Sequence, residues 1–184
     1  MKAWLAGLLT MTLTANGAPD HSPPASPLDA TLQSSDGVQA PLSKWRGKPV
    51  VLFYEDKDST KLNLALKEEL FERGKKHGLL EAAWVVAVAN LEKFNFFPAR
   101  QIALSYVRDE EKKAGVPILV DLDGTLGGPP WALPKKTSTV MLMDATGAVV
   151  YSYSGRLDEA ERKNFFTVLS KLIGVDLGTT EPPP

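Results

Sequence analysis

The chain has 184 residues, with 21 basic and 22 acidic side chains, a formal net charge of −1 and no cysteine. The near balance of charge excludes a strong field that would draw the protein to nucleic acid or anionic lipid. The missing thiol excludes disulfide exchange, peroxide reduction and thiol-dependent acyl transfer by the chain's own atoms.

Residues 1–18 have the pattern of a signal peptide: Lys2, an apolar run at 3–13, then small residues at 15–18. The run is too short to span a bilayer comfortably, so no stable membrane insertion is expected after cleavage. Pro19 disfavours cutting after Ala18 and points to Gly17 or Ala15. A periplasmic or secreted location follows. Residues 19–27 are proline-rich and read as an extended linker. Residues 28–177 read as one folded domain, and 178–184 (GTTEPPP) as a disordered tail.

In the domain, weak alternation over 31–42 around Ser35-Asp36-Gly37 predicts two short strands joined by a turn. Residues 50–54 (VVLFY) are unbroken apolar and β-branched, the pattern of a central strand buried on both faces. Ser59 or Thr60 then caps a predicted helix to about His77. Its apolar face is Leu62, Leu66, Leu70 and Phe71, and Gly78 ends it. Residues 83–89 (AWVVAVA) form a second buried strand. Pro98 suits the first turn of another helix, with Ile102, Tyr106 and Val107 inward and a stop at Gly115.

Residues 116–120 (VPILV) give a third strand. Strands at 139–143 and 148–153 flank Asp144-Ala145-Thr146-Gly147, a hairpin signal. The last helix starts at Asp158, in a capping-box pattern with Glu161, and turns Phe165, Leu169, Leu172 and Ile173 inward. Parallel strands with helical crossovers and a terminal hairpin predict a mixed α/β sheet.

Four stretches resemble the thioredoxin-like superfamily in its redoxin and exported thioredoxin-type branch. They are Ser35-Asp36-Gly37 with residues 42–54, residues 116–124 (VPILVDLDG), residues 139–147 (TVMLMDATG) and residues 149–177. Residues 59–66 and Ser138-Thr139-Val140 are further similar to cysteine-poor periplasmic YtfJ-type proteins. The resemblance implies a three-layer α/β/α fold with a mixed central sheet and an N-terminal β-hairpin extension. It also implies where redox-active members carry a cysteine, at the start of the helix after the first core strand. Ser59 and Thr60 stand there in this chain, and neither hydroxyl imitates a thiolate. Ser138 stands at the place of the family's cis-proline, where a trans bond is expected.

Other chemistry is thin. Glu55, Asp56 and Asp58 cluster where a strand runs into a helix and are candidate calcium or magnesium ligands, but their spacing matches no metal loop. No metal or cofactor is therefore expected. The two histidines, His21 and His77, have no Ser–acid pattern near them, and no G-x-S-x-G is present. Phe94, Phe96, Phe97 and Trp131 are the candidate partner groove, because aromatic side chains in loops at the ligand-binding edge of such a sheet anchor peptides. The expected function is an exported, non-catalytic binding or scaffolding module for a peptide or envelope protein. The alternative is a redox-family protein acting through a partner's thiol or a cofactor, or a weak carboxylate metal site.

Overall fold

The computed structural model describes residues 29–177. The expected signal peptide (1–18), linker (19–27) and tail (178–184) lie outside the described residues. Seven strands form one sheet in the order β2-β1-β5-β4-β3-β6-β7. The strands are β1 (Thr31–Ser34), β2 (Gln39–Pro41), β3 (Val50–Glu55), β4 (Trp84–Asn90), β5 (Ile118–Asp121), β6 (Thr139–Met143) and β7 (Val149–Ser154). The helices are α1 (Leu64–His77), the short α2 (Leu79–Ala82), α3 (Ala99–Ala114) and α4 (Glu159–Ile173).

β3 is the sequence's most apolar run and sits at the centre, every residue buried, parallel to β4 and antiparallel to β6. β4 and β5 are also parallel, so the crossovers are helical, as parallel pairing requires. The N-terminal hairpin β1–β2 joins the sheet by antiparallel pairing of β1 with β5. Both predicted hairpins and all three predicted core strands form.

Alternation along the strands sorts the core into two sides. Val51, Phe53, Val140 and Leu142 pack with Leu66 and Leu70 of α1 and with Phe165, Phe166 and Leu169 of α4. Farther along that side, Val120 packs with Val107 and Leu104 of α3. The other side buries Leu52, Tyr54, Val86, Val88 and Met141 beneath Leu42, Trp45, Leu126, Trp131 and Leu133. There the outer layer is made of 3₁₀ turns, at Leu42–Trp45 and Thr125–Gly127, and connecting loop.

Two helix faces depart from expectation. α1 starts at Leu64, not at Ser59 or Thr60, because residues 56–62 close successive turns first. Its buried face is Leu66, Leu70 and Gly74, which leaves Leu62 and Phe71 exposed. α3 buries Val107 and half-buries Ala103 and Leu104, whereas Ile102 and Tyr106 are 67% and 70% exposed. Its inner face is fixed by polar latches to the β1–β2 turn: Arg108 donates to the Ser35 carbonyl, and the Ser35 hydroxyl donates to Glu111. α4 follows the prediction, with the Asp158 carboxylate accepting from the Glu161 N–H, although the Glu161 carboxylate accepts from the Tyr151 hydroxyl.

Candidate functional site

The C-terminal ends of β3, β4 and β5 share one edge of the sheet, the edge where open α/β folds bind ligands. Ser59 and Thr60, which follow β3, and Ser138, which precedes β6, lie toward this edge. Glu55 ends β3, and its carboxylate is almost buried. One oxygen accepts from the Ser138 hydroxyl at 2.8 Å, the other from the Lys67 ammonium of α1 at 2.7 Å. Asn63, just ahead of α1, completes the joint. Its amide nitrogen donates to Ser138 Oγ and to the Gly155 carbonyl, both at 2.9 Å, and its oxygen accepts from the Leu157 N–H at 2.9 Å. Glu55, Asn63 and Ser138 are each under 9% exposed. Four segments distant in sequence are thereby pinned at one point.

Ser59 is not at a helix start. It is buried, and its hydroxyl accepts from the Asp56 N–H and donates to the Asp56 carbonyl, closing a turn on itself. Thr60 is exposed and its hydroxyl donates to the Lys57 carbonyl. Both side chains are thus spent on local backbone, which is what small hydroxyls do in turns. The cis peptide bonds among the described residues are Phe97–Pro98 and Pro129–Pro130, so the bond before Ser138 is trans. The Ser138 hydroxyl does touch a carboxylate, but at 0% exposure no substrate reaches it.

The three acidic candidates do not converge. Glu55 serves Ser138 and Lys67. Asp56 accepts from the N–H groups of Asp58 and Ser59 with one oxygen and from the Lys136 N–H with the other. Asp58 is exposed. Among the described residues no three His, Asp or Glu side chains are grouped to hold a metal ion.

A second buried polar cluster lies beside the first. The Asn90 amide donates to the Tyr54 hydroxyl at 2.8 Å, and the Asp121 carboxylate accepts from the Thr125 and Leu126 N–H groups, shaping the turn that follows β5. Burial, and then the Asp121 and Glu92 charges, push the Tyr54 phenol above its ordinary range. No buried side-chain nitrogen or oxygen among the described residues lacks a partner. The buried polar groups of this corner are thus hydrogen-bonded throughout and tie the segments that meet there.

The four aromatic candidates separate. Trp131 is 7% exposed inside the core, its indole donating to the Asp29 carbonyl at 3.4 Å. Phe94 is half-buried against Leu91, Val107 and Leu122. These two cover core, so the expected four-residue groove does not form. Phe96 and Phe97, by contrast, are 60% and 81% exposed. Ile102 and Tyr106, missed as surface residues, extend the exposure along α3. Four of the large apolar side chains exposed among the described residues thus fall within residues 96–106. The missed signal was the polar spacing of α3: Leu104, Val107 and Glu111 already mark its other face.

No family model matches the chain, and no curated protein does. Solved structures do. A thiol:disulfide interchange protein, DsbE, from Chlorobium tepidum aligns with TM-score 0.59 and 18% identity over 80% of this chain and 95% of its own. The exposed lipoprotein thioredoxin of Streptococcus pneumoniae aligns with TM-score 0.56 and 21% identity over 79% and 100%. StoA of Bacillus subtilis aligns with TM-score 0.52 and 15% identity over 76% and 98%. The chain has the thioredoxin-like fold, without a cysteine anywhere in it.

Proposed function

We propose that this is an exported thioredoxin-fold protein that binds a peptide or envelope protein and does no thiol chemistry of its own. The observation that carries the reading is the exposure of Phe96, Phe97, Ile102 and Tyr106, four large apolar side chains in the loop after β4 and on α3. Monomeric proteins scatter single apolar side chains over their surface, but a cluster of them is the mark of an interface. Ser59 and Thr60, at the place where redox-active members carry a cysteine, close local turns, and Ser138 is buried against Asn63 and Glu55, which supports a role moved to the neighbouring surface. The lipoprotein and interchange proteins among the structural neighbours, together with the signal-like residues 1–18, support placement in the cell envelope.

Crosslinking capture from envelope extract tests this. The unmodified chain should hold a defined partner that Phe96→Ser/Phe97→Ser loses while keeping its circular dichroism. Capture unchanged by that double substitution removes the strip from the reading.

A further inference from the structure

The exposed apolar residues around α3 belong to one helical surface. Winding already begins at Phe96, whose carbonyl accepts from the Arg100 N–H at 2.8 Å, and the Pro98 carbonyl accepts from the Ile102 N–H at 3.4 Å. Outward from there, Pro98, Ile102 and Tyr106 follow one another at four-residue spacing and are all exposed. This set is symmetric about Ile102. Pro98 lies four positions before it and Tyr106 four after, about 6 Å either way along the axis. A second α3 crossing it antiparallel at a shallow angle sets Ile102 on Ile102, and Tyr106 on Pro98 and Phe97 of the other copy. A two-fold interface requires that self-match.

Charge agrees with the same axis. Counted by residue from Ile102, Glu110 of one copy comes level with the Lys93–Phe94 step of the other, and Lys112 with Glu92. Lys93, Glu110 and Lys112 are exposed and Glu92 is half-buried, so opposite signs meet at both ends of the pair. Area agrees as well. At about 200 Å² for a large side chain, the exposed parts of Phe96, Phe97, Ile102 and Tyr106 come to about 550 Å². Two copies face to face would cover about 1,100 Å², above the roughly 800 Å² of casual contacts and close to the roughly 1,200 Å² where specific interfaces begin. Pro98, Gln101 and Ser105, exposed on the same surface, add to that.

We infer that one occupant of this surface is a second copy of the chain, paired antiparallel through α3 about a two-fold axis at Ile102. The inference rests on the reading that this surface binds, and it names what binds there when no other protein does. A different partner then competes with the second copy.

Sedimentation equilibrium of the purified chain, with no extract present, tests it. The apparent mass should climb to twice the single-chain value as concentration rises to about 100 µM, the range that suits an interface this small. Phe96→Ser/Phe97→Ser should hold the single-chain mass with unchanged circular dichroism. Since the chain has no cysteine, Ile102→Cys and Tyr106→Cys each place one thiol. Under mild oxidation Ile102→Cys should join two copies at least about tenfold faster, because the two Tyr106 positions stand about 12 Å apart along the axis, beyond disulfide reach. A single-chain mass at about 100 µM, a dimer that survives the phenylalanine substitutions, or equal joining of the two cysteine variants overturns the inference. Each of these outcomes leaves capture of a different protein from envelope extract as it was, so the two readings fail separately.

Discussion

Taking away the Asn63 amide leaves the Leu157 N–H and the Gly155 carbonyl without their partner and Ser138 without its donor, all of it inside the protein. An unmade hydrogen bond at a buried group costs more than a made one contributes. Asn63→Ala should therefore lower stability by about 2–4 kcal/mol, given several coupled bonds. Urea denaturation checks it: a lower midpoint with an unchanged slope is the expected result. Charge adds a second residue-level expectation. Burial holds the phenols of Tyr54 and Tyr151 above their ordinary range, Asp121 adding to the first and Glu161 to the second. A group with a raised folded-state pKa binds its proton more tightly in the folded protein. Its contribution is complete below about pH 10, the unfolded value, and is lost as pH climbs beyond it. Melting temperature should fall above about pH 10, and fall less steeply in Tyr54→Phe/Tyr151→Phe. At this scale the sequence was only partly legible. Ser138 draws notice in the sequence as a residue ahead of a core strand, but nothing local announces that it meets Asn63, 75 positions away, or that a carboxylate joins them.

Helices were less legible than strands, for a physical reason. A buried strand advertises itself by continuous β-branched and apolar residues, as at 50–54, and needs no decision about phase. A helix with apolar residues at several angles does need one. In α3 both Ile102–Tyr106 and Leu104–Val107 make helical pairs, and the decision falls to Arg108 and Glu111, whose latches to Ser35 turn the second pair inward. In α1, Asn63 ahead of Leu64-Ala65-Leu66 was the better start signal, but Asp56 and Ser59 imitate one by closing turns. These placements separate two aromatic substitutions that sequence treats alike. Trp131→Ala should cost about 3–5 kcal/mol, as removal of a buried indole does. Phe96→Ser/Phe97→Ser should change stability by no more than about 0.5 kcal/mol per site, as exposed positions do. Parallel thermal melts of the two variants decide between them.

For the molecule as a whole, the mixed sheet and its hairpin extension were legible in the segment order, because helical crossovers and short connections leave few alternatives; the strand order itself is a finding of the structure. The thioredoxin-like architecture was legible for that reason. The site was not, since a fold does not fix a function and the residues that carry a partner surface are identified by exposure, a property of the packed helix. Glu55, Asn63 and Ser138 form a saturated joint that holds the fold, while Phe96, Phe97, Ile102 and Tyr106 are exposed and are the surface proposed for a partner. Capture yield per folded molecule, compared between Asn63→Ala and Phe96→Ser/Phe97→Ser, tests that division most directly. The account predicts that Asn63→Ala, though less stable, keeps its yield, while the phenylalanine variant keeps its stability and loses its yield. Loss of capture in Asn63→Ala together with full capture in Phe96→Ser/Phe97→Ser would contradict it.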